Sequence, residues 1–259
     1  MAALADATAQ ALASDEHVVM PDVSYGARPR QKIDVFAPVG ATKAPCLVFI
    51  HGGFWQEGAK DVSGFAACNF TTHGWAYVSV GYTLTPDVSL TELTSEIYQV
   101  LDHLRKNADR YNIDAGKIVL SGHSAGGHLT ASVLAEVLGQ GAAAHLVGAV
   151  MVSGVFDLEP IARSYVNDLA RISPEEADRL SPARHAPKKD IPVHLVIGAD
   201  EPEAFQVQTA VLADLWQQRL TDLSCTSVPG RDHFDILEVL ADPKSETFQT
   251  IQNMIGDHL

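Results

Sequence analysis

Short runs dense in Val, Ile and other apolar residues recur along the chain, at residues 32–37, 46–50, 75–80, 117–120, 147–152, 192–197 and 224–228. Their length and β-branched content predict buried strands. Between them lie longer stretches with helical periodicity at 90–111, 125–138 and 203–219, and shorter ones at 235–240 and 246–254; residues 1–12 predict a further short helix. Strand alternating with helix predicts an α/β protein with a mainly parallel central sheet and helices on both faces. One interval breaks the rhythm. Residues 157–190 are charged, punctuated by proline and free of strand-like runs. So long a connection predicts a small helical cap inserted over a site, the duller alternative being an extra pair of surface helices. No repeat or linker marks a second unit, so residues 1–259 read as one domain with 157–190 as its cap.

Composition narrows the partners. With 18 basic against 32 acidic residues the formal charge is −14, which repels phosphate backbones and anionic lipid surfaces. Nucleic acid and membrane are therefore not expected partners; a small-molecule substrate is, and the pattern leaves a homodimer open. Cys46, Cys68 and Cys225 are odd in number and far apart, which argues against a disulfide framework or a zinc site and suits a reducing, cytoplasmic compartment. The first residues carry acid where a secretory signal carries Lys or Arg.

The chemistry gathers at one corner. Gly122-His-Ser-Ala-Gly126 fits Gly-x-Ser-x-Gly between a predicted strand and a predicted helix, where small flanking residues allow a sharp turn that presents Ser124 above the sheet. A serine needs a base, and the base needs an orienting acid; in this arrangement both follow in the order acid, then histidine. Among 11 histidines, His233 alone lies in a loop after the last strand and before a terminal helix, whereas His103, His194 and His258 have structural positions. His123 and His128 adjoin the serine but lack that downstream placement. Asp200, just past the strand at 192–197, is the expected acid, with Asp157 and Glu201 as rivals. The loop His51-Gly-Gly-Phe-Trp-Gln-Glu-Gly58 offers the amides of Gly53 and Phe54, together with that of Ala125, to a developing oxyanion; His51 is expected to buttress that loop.

Taken together, His51-Gly-Gly-Phe-Trp55, Gly122-His-Ser-Ala-Gly-Gly-His128, Asp200-Glu-Pro-Glu-Ala-Phe205 and Asp232-His-Phe-Asp-Ile236 resemble the kynurenine formamidase (arylformamidase) group of serine hydrolases. The resemblance implies an α/β-hydrolase fold, with Ser124 as nucleophile, Asp200 as acid and His233 as base. It also implies hydrolysis of an aryl formamide such as N-formylkynurenine through an acyl-serine, without metal or organic cofactor. One departure is visible: Ala204 stands before Phe205, where the group's acid loop usually carries the aromatic directly after Pro-Glu. Phe54, Trp55, Tyr82 and Phe156 are candidate aromatic walls, and Arg163 or Asn167 in the cap could meet a substrate carboxylate. The alternatives are a carboxylesterase for short acyl esters, a related amide or carbamate hydrolase, and, more remotely, a non-catalytic small-ligand-binding homologue.

Overall fold

A computed structural model describes residues 2–255; His258, set aside above, lies outside them. The chain begins with helix α1 (Ala2–Ala13) and then lays down β1 (His17–Ser24), β2 (Lys32–Pro38) and β3 (Ala44–Ile50). Next come α2 (Ala67–Thr72), β4 (Ala76–Val80), α3 (Leu90–Lys106), β5 (Ile113–His123), α4 (Ala125–Leu134) and β6 (Leu146–Val152). The short helices α5 (Glu159–Ala162), α6 (Asn167–Ala170) and α7 (Pro174–Leu180) follow, then β7 (Val193–Gly198), α8 (Glu203–Trp216), β8 (Leu223–Val228), α9 (Glu238–Ala241) and α10 (Glu246–Asn253).

The strands form one sheet in the order β1-β2-β4-β3-β5-β6-β7-β8. From β4 to β8 every pairing is parallel; β2 runs antiparallel to both β1 and β4. The two faces of the sheet are both buried, as a parallel sheet requires. On β3, Cys46, Val48 and Ile50 face a core closed by α3, α4 and α8, while Leu47 and Phe49 face a second core with α1, α2 and α10. No helix among the described residues is long and apolar enough to cross a membrane.

Strand β1 has no counterpart in the expected pattern. Its sequence His-Val-Val-Met-Pro-Asp-Val-Ser mixes polar residues with proline, and its pairing with β2 shifts register between Met20 and Val23. An edge strand tolerates proline because one side of its backbone pairs with nothing. Strand β5 begins earlier than expected, since Asp114 and Gly116 disguise a pairing of Ile113 with Ala44. The expected helix at 90–111 stops at Lys106, and a 3₁₀ turn, Ala108–Tyr111, completes the segment. Residues 157–190 hold only short helices, tied to the body by Thr91 donating to Glu176 and by a hydrogen bond between His128 Nε2 and Leu180 O.

Candidate active site

Strand β5 delivers Ser124 straight into α4. Ser124 has φ 54° and ψ −115°, a sparsely populated region that costs of order 1–3 kcal/mol and persists only where the surroundings impose it. Here they do. The Ser124 amide donates to Val152 O at 2.9 Å, and Ser124 O accepts from the His128 amide at 3.1 Å. A Cβ on Gly122 would overlap Gly126 O, and one on Gly126 would overlap Ile50 O, so the chain passes itself too closely for any side chain at either position.

His233 stands in the loop between β8 and α9, its imidazole half-buried. Its Nδ1 lies 2.7 Å from Oε2 of Glu201, not from Asp200. This corrects the expected acid. The turn after β7 closes with the Glu201 amide donating to Gly198 O. That places Asp200 at the exposed tip and folds Glu201, 6% exposed, back under the strand ends. Asp200 contributes its backbone amide, which donates to Arg231 O and holds the start of the histidine loop. Asp157, the other rival, accepts from the Glu159 amide and meets Arg184.

Glu201 is held on its second oxygen too: Oε1 accepts from the Gly198 amide at 2.8 Å and from the Ser153 hydroxyl. Ser153, fully buried just past β6 with φ 52°, was not among the expected residues. Its only signal in the sequence is a hydroxyl directly following an apolar strand. Phe205 packs against the His233 ring, 4.1 Å between centroids with the planes tilted by 32°. The inserted Ala204 therefore leaves the aromatic in contact with the imidazole.

The loop at 51–58 carries three consecutive residues at positive φ: Gly53 at 112°, Phe54 at 48° and Trp55 at 62°. Several of its carbonyls are taken. Gly53 O accepts from the Gln56 and Glu57 amides, Trp55 O from the Thr85 amide, His51 O from the Tyr82 hydroxyl, and Gly58 O from Arg30. Among the described residues no acceptor meets the amides of Gly53 or Phe54, and Ala125, first residue of α4, has no intrahelical acceptor for its own. Fixed amides without partners beside a nucleophile are what a developing oxyanion needs. A Cβ on Gly52 would lie 3.0 Å from Ser124 Cβ, so the loop can approach the serine only through glycine.

Ser124, His233, Gly53 and Phe54 line a cavity of about 360 Å³, walled on its apolar side by Phe49, Phe65, Val62 and Phe234 and closed by Leu4 of α1. Of the expected aromatic walls, Phe54 lines this cavity and the other three lie elsewhere. Trp55 is fully buried, edge-on to His128 at 5.1 Å. Tyr82 is fully buried and stacks on His51 at 4.2 Å, so it stiffens the loop from beneath; His51 is thereby the buttress expected of it. Phe156 packs into the core against Gly154. Asn167 spends its amide on the carbonyls of Ala162 and Ile172 and its oxygen on the Ile172 amide. Together with Arg163, which is paired to Glu159, it borders a separate cavity. Large aromatics are as useful inside a core as at a ligand wall, and sequence position alone does not separate the two. No group of three His, Cys, Asp or Glu residues is arranged to hold a metal ion among the described residues.

The buried histidines around the site are neutral. Burial pushes the His51 imidazole down to about 4, and burial together with His233 pushes that of His123 down to about 3.

The strand order and the strand-to-helix serine corner define an enzyme of the α/β-hydrolase class. The family model BD-FAE matches residues 33–141. Over 242 residues the chain is 30% identical to the kynurenine formamidase of Danio rerio, spanning 91% of this chain and 81% of that protein. The kynurenine formamidase of Salmo salar is 31% identical over 247 residues, with 91% and 81% covered. A solved structure from Silicibacter sp. tm1040 that carries a provisional thioesterase name superposes with TM-score 0.83 at 32% identity, over 97% of this chain and 90% of that one. The chain belongs to the kynurenine formamidase family.

Proposed function

We propose that the protein is a serine hydrolase that cleaves an aryl formamide of the N-formylkynurenine type, giving formate and an arylamine. The observation that carries the reading is the convergence of Ser124, the Glu201-bound imidazole of His233 and the unpaired amides of Gly53 and Phe54 on one cavity. With its Nδ1 proton donated to Glu201, His233 presents Nε2 as the proton acceptor. Ser124 Oγ attacks the formyl carbon as Nε2 takes its proton, and the carbonyl oxygen gathers negative charge against the amides of Gly53, Phe54 and Ala125. His233 then returns the proton to the departing nitrogen as the C–N bond breaks, because an anilide ion is a poor leaving group. Water, deprotonated by the same imidazole, attacks the formyl-serine; the bond from Ser124 Oγ to the formyl carbon breaks, His233 returns the proton to Oγ, and formate leaves.

In this reading residues 157–190 buttress the site rather than cover it: none of them lines the cavity, and Val166 O accepts from the Gln56 side chain of the 51–58 loop. The setting is cytoplasmic, in keeping with three unpaired cysteines. Hydrolysis of short-acyl esters is the second reading, favoured by the thioesterase name of the solved relative and by a cavity whose walls include Phe49, Phe54, Phe65 and Phe234. Steady-state kinetics separate the two. A formamidase turns over N-formylkynurenine with kcat/KM at least ~100-fold above that for a short-chain aryl ester, because its binding interactions favour the formamide transition state. The reverse order assigns the esterase.

A further inference from the structure

His123 occupies the position between Gly122 and the nucleophile, and the mechanism above gives it no step. The residue is nonetheless buried inside the site and adjoins all three of the site's working parts. It is bonded through the backbone to Ser124. Its Nδ1 would lie 3.0 Å from a Cβ on Gly52, so it packs against the amide-bearing loop. Across the cavity its Nε2 lies 2.8 Å from the backbone carbonyl oxygen of His233, with the two rings 4.7 Å apart. A carbonyl only accepts, so this contact fixes the proton of His123 on Nε2.

The restraints on the base loop divide by position. Its start is held by the amides of Ala199 and Asp200 on Val228 O and Arg231 O. Its end is held by Asp232, whose carboxylate accepts from the amides of Phe234 and Asp235. Between these anchors, the carbonyl of His233 itself is held by His123. Glu201 fixes one point of the imidazole and Phe205 one of its faces, but neither fixes the Cα from which the ring swings. A displacement of about 1 Å between base and nucleophile is enough to cost ~100-fold in rate. Resting on the serine-hydrolase reading, we propose that His123 is the positioning residue of the base: its Nε2–H clamps the His233 carbonyl and thereby sets the aim of that imidazole at Ser124.

Its chemistry suits the task. Lysine or arginine at 123 would put a fixed positive charge beside the imidazolium formed during attack. A histidine kept neutral by burial donates the same hydrogen bond without charge. Phenylalanine would fill the space and donate nothing.

The test compares three variants of the full chain. In His123→Gln the side-chain amide reaches the place of Nε2 and can donate to His233 O; in His123→Asn it reaches only the place of Nδ1; in His123→Phe the donor is lost and the ring kept. The expected result is a kcat lowered ~10- to 100-fold in the Asn and Phe variants with KM within about threefold of wild type, and a Gln variant restored to within about fivefold. The rate of fluorophosphonate reaction at Ser124 should follow the same order, since it reads the serine–imidazole pair without substrate binding. Thermal melts establish that the compared variants are folded, and the Gln–Asn contrast stands even where Phe is not. Equal activity in Gln and Asn, or a folded Phe variant within about twofold of wild type, overturns the assignment while leaving the hydrolase reading intact. A wild-type protein that neither reacts with fluorophosphonate nor hydrolyses formamide or ester overturns both.

Discussion

A carboxylate beside an imidazole does two things: it selects the tautomer with its proton on Nδ1, and it stabilises the cation formed when Nε2 accepts another. Glu201 is placed for both, buried and with its far oxygen already held by Gly198 and Ser153. Glu201→Gln is accordingly expected to lower kcat by roughly 10⁴-fold with little change in KM. Asp200→Asn, at an exposed turn tip, should stay within about threefold, as surface substitutions away from such contacts do. Steady-state kinetics on the two purified variants decide between the neighbours. Ser124 and His233 were legible in the sequence because each sits at a junction whose flanks announce it: glycines around a strand-to-helix corner, and a loop between last strand and last helices. The acid was not, because Asp200 and Glu201 are equally good carboxylates one residue apart. Which of them turns inward depends on the hydrogen bond that closes the turn on Gly198. Trp55, Tyr82 and Phe156 misled for another reason: an aromatic near a site is as readily its foundation as its wall.

Among the elements, the loop at 51–58 depends on supports far from it in sequence. Just beyond its end, Lys60 lies 7% exposed, its ammonium 2.9 Å from the buried carboxylate of Asp34 on β2 and close to Asp22 and Asp61. The Lys60 carbonyl accepts from Ser79 on β4. Lys60→Met leaves the Asp34 carboxylate buried without its counter-charge. It should lower the unfolding free energy by about 3–5 kcal/mol, and replacing Asp34 by an apolar residue in the same chain should recover part of that loss. Urea titrations of the single and double variants provide the check; a single variant as stable as wild type would remove the ion pair from the supports. Neither this pair nor β1, which supplies Asp22, was readable beforehand. Ion pairs between distant residues leave no periodicity, and an edge strand carrying proline lacks the apolar run by which the inner strands were recognised. The six inner strands, β2 to β7, and the long helices were readable because burial on both sheet faces writes itself as continuous apolar sequence.

For the molecule as a whole, the buried histidines couple folding to pH. The imidazoles of His51 and His128 sit at about 4 and that of His123 at about 3, burial being the main cause in each. In the unfolded chain each takes up a proton near the ordinary 6.5. Between 6.5 and 4 the unfolded state therefore binds more protons than the folded one, and stability declines as pH falls, by up to ~1.4 kcal/mol per pH unit for each histidine. Above 6.5 both states are neutral and this contribution is level. Urea midpoints should accordingly change little between about pH 7.5 and about pH 6.5 and drop from there to about pH 5; a midpoint flat throughout would contradict neutral burial of these rings. The central claim is tested most directly by mass spectrometry of the protein after reaction with a fluorophosphonate. The expected result is one adduct per chain, located on Ser124, absent from Ser124→Ala and formed at least ~1,000-fold more slowly in His233→Ala. An unlabelled wild-type protein, or an adduct on another residue that persists in Ser124→Ala, would contradict it.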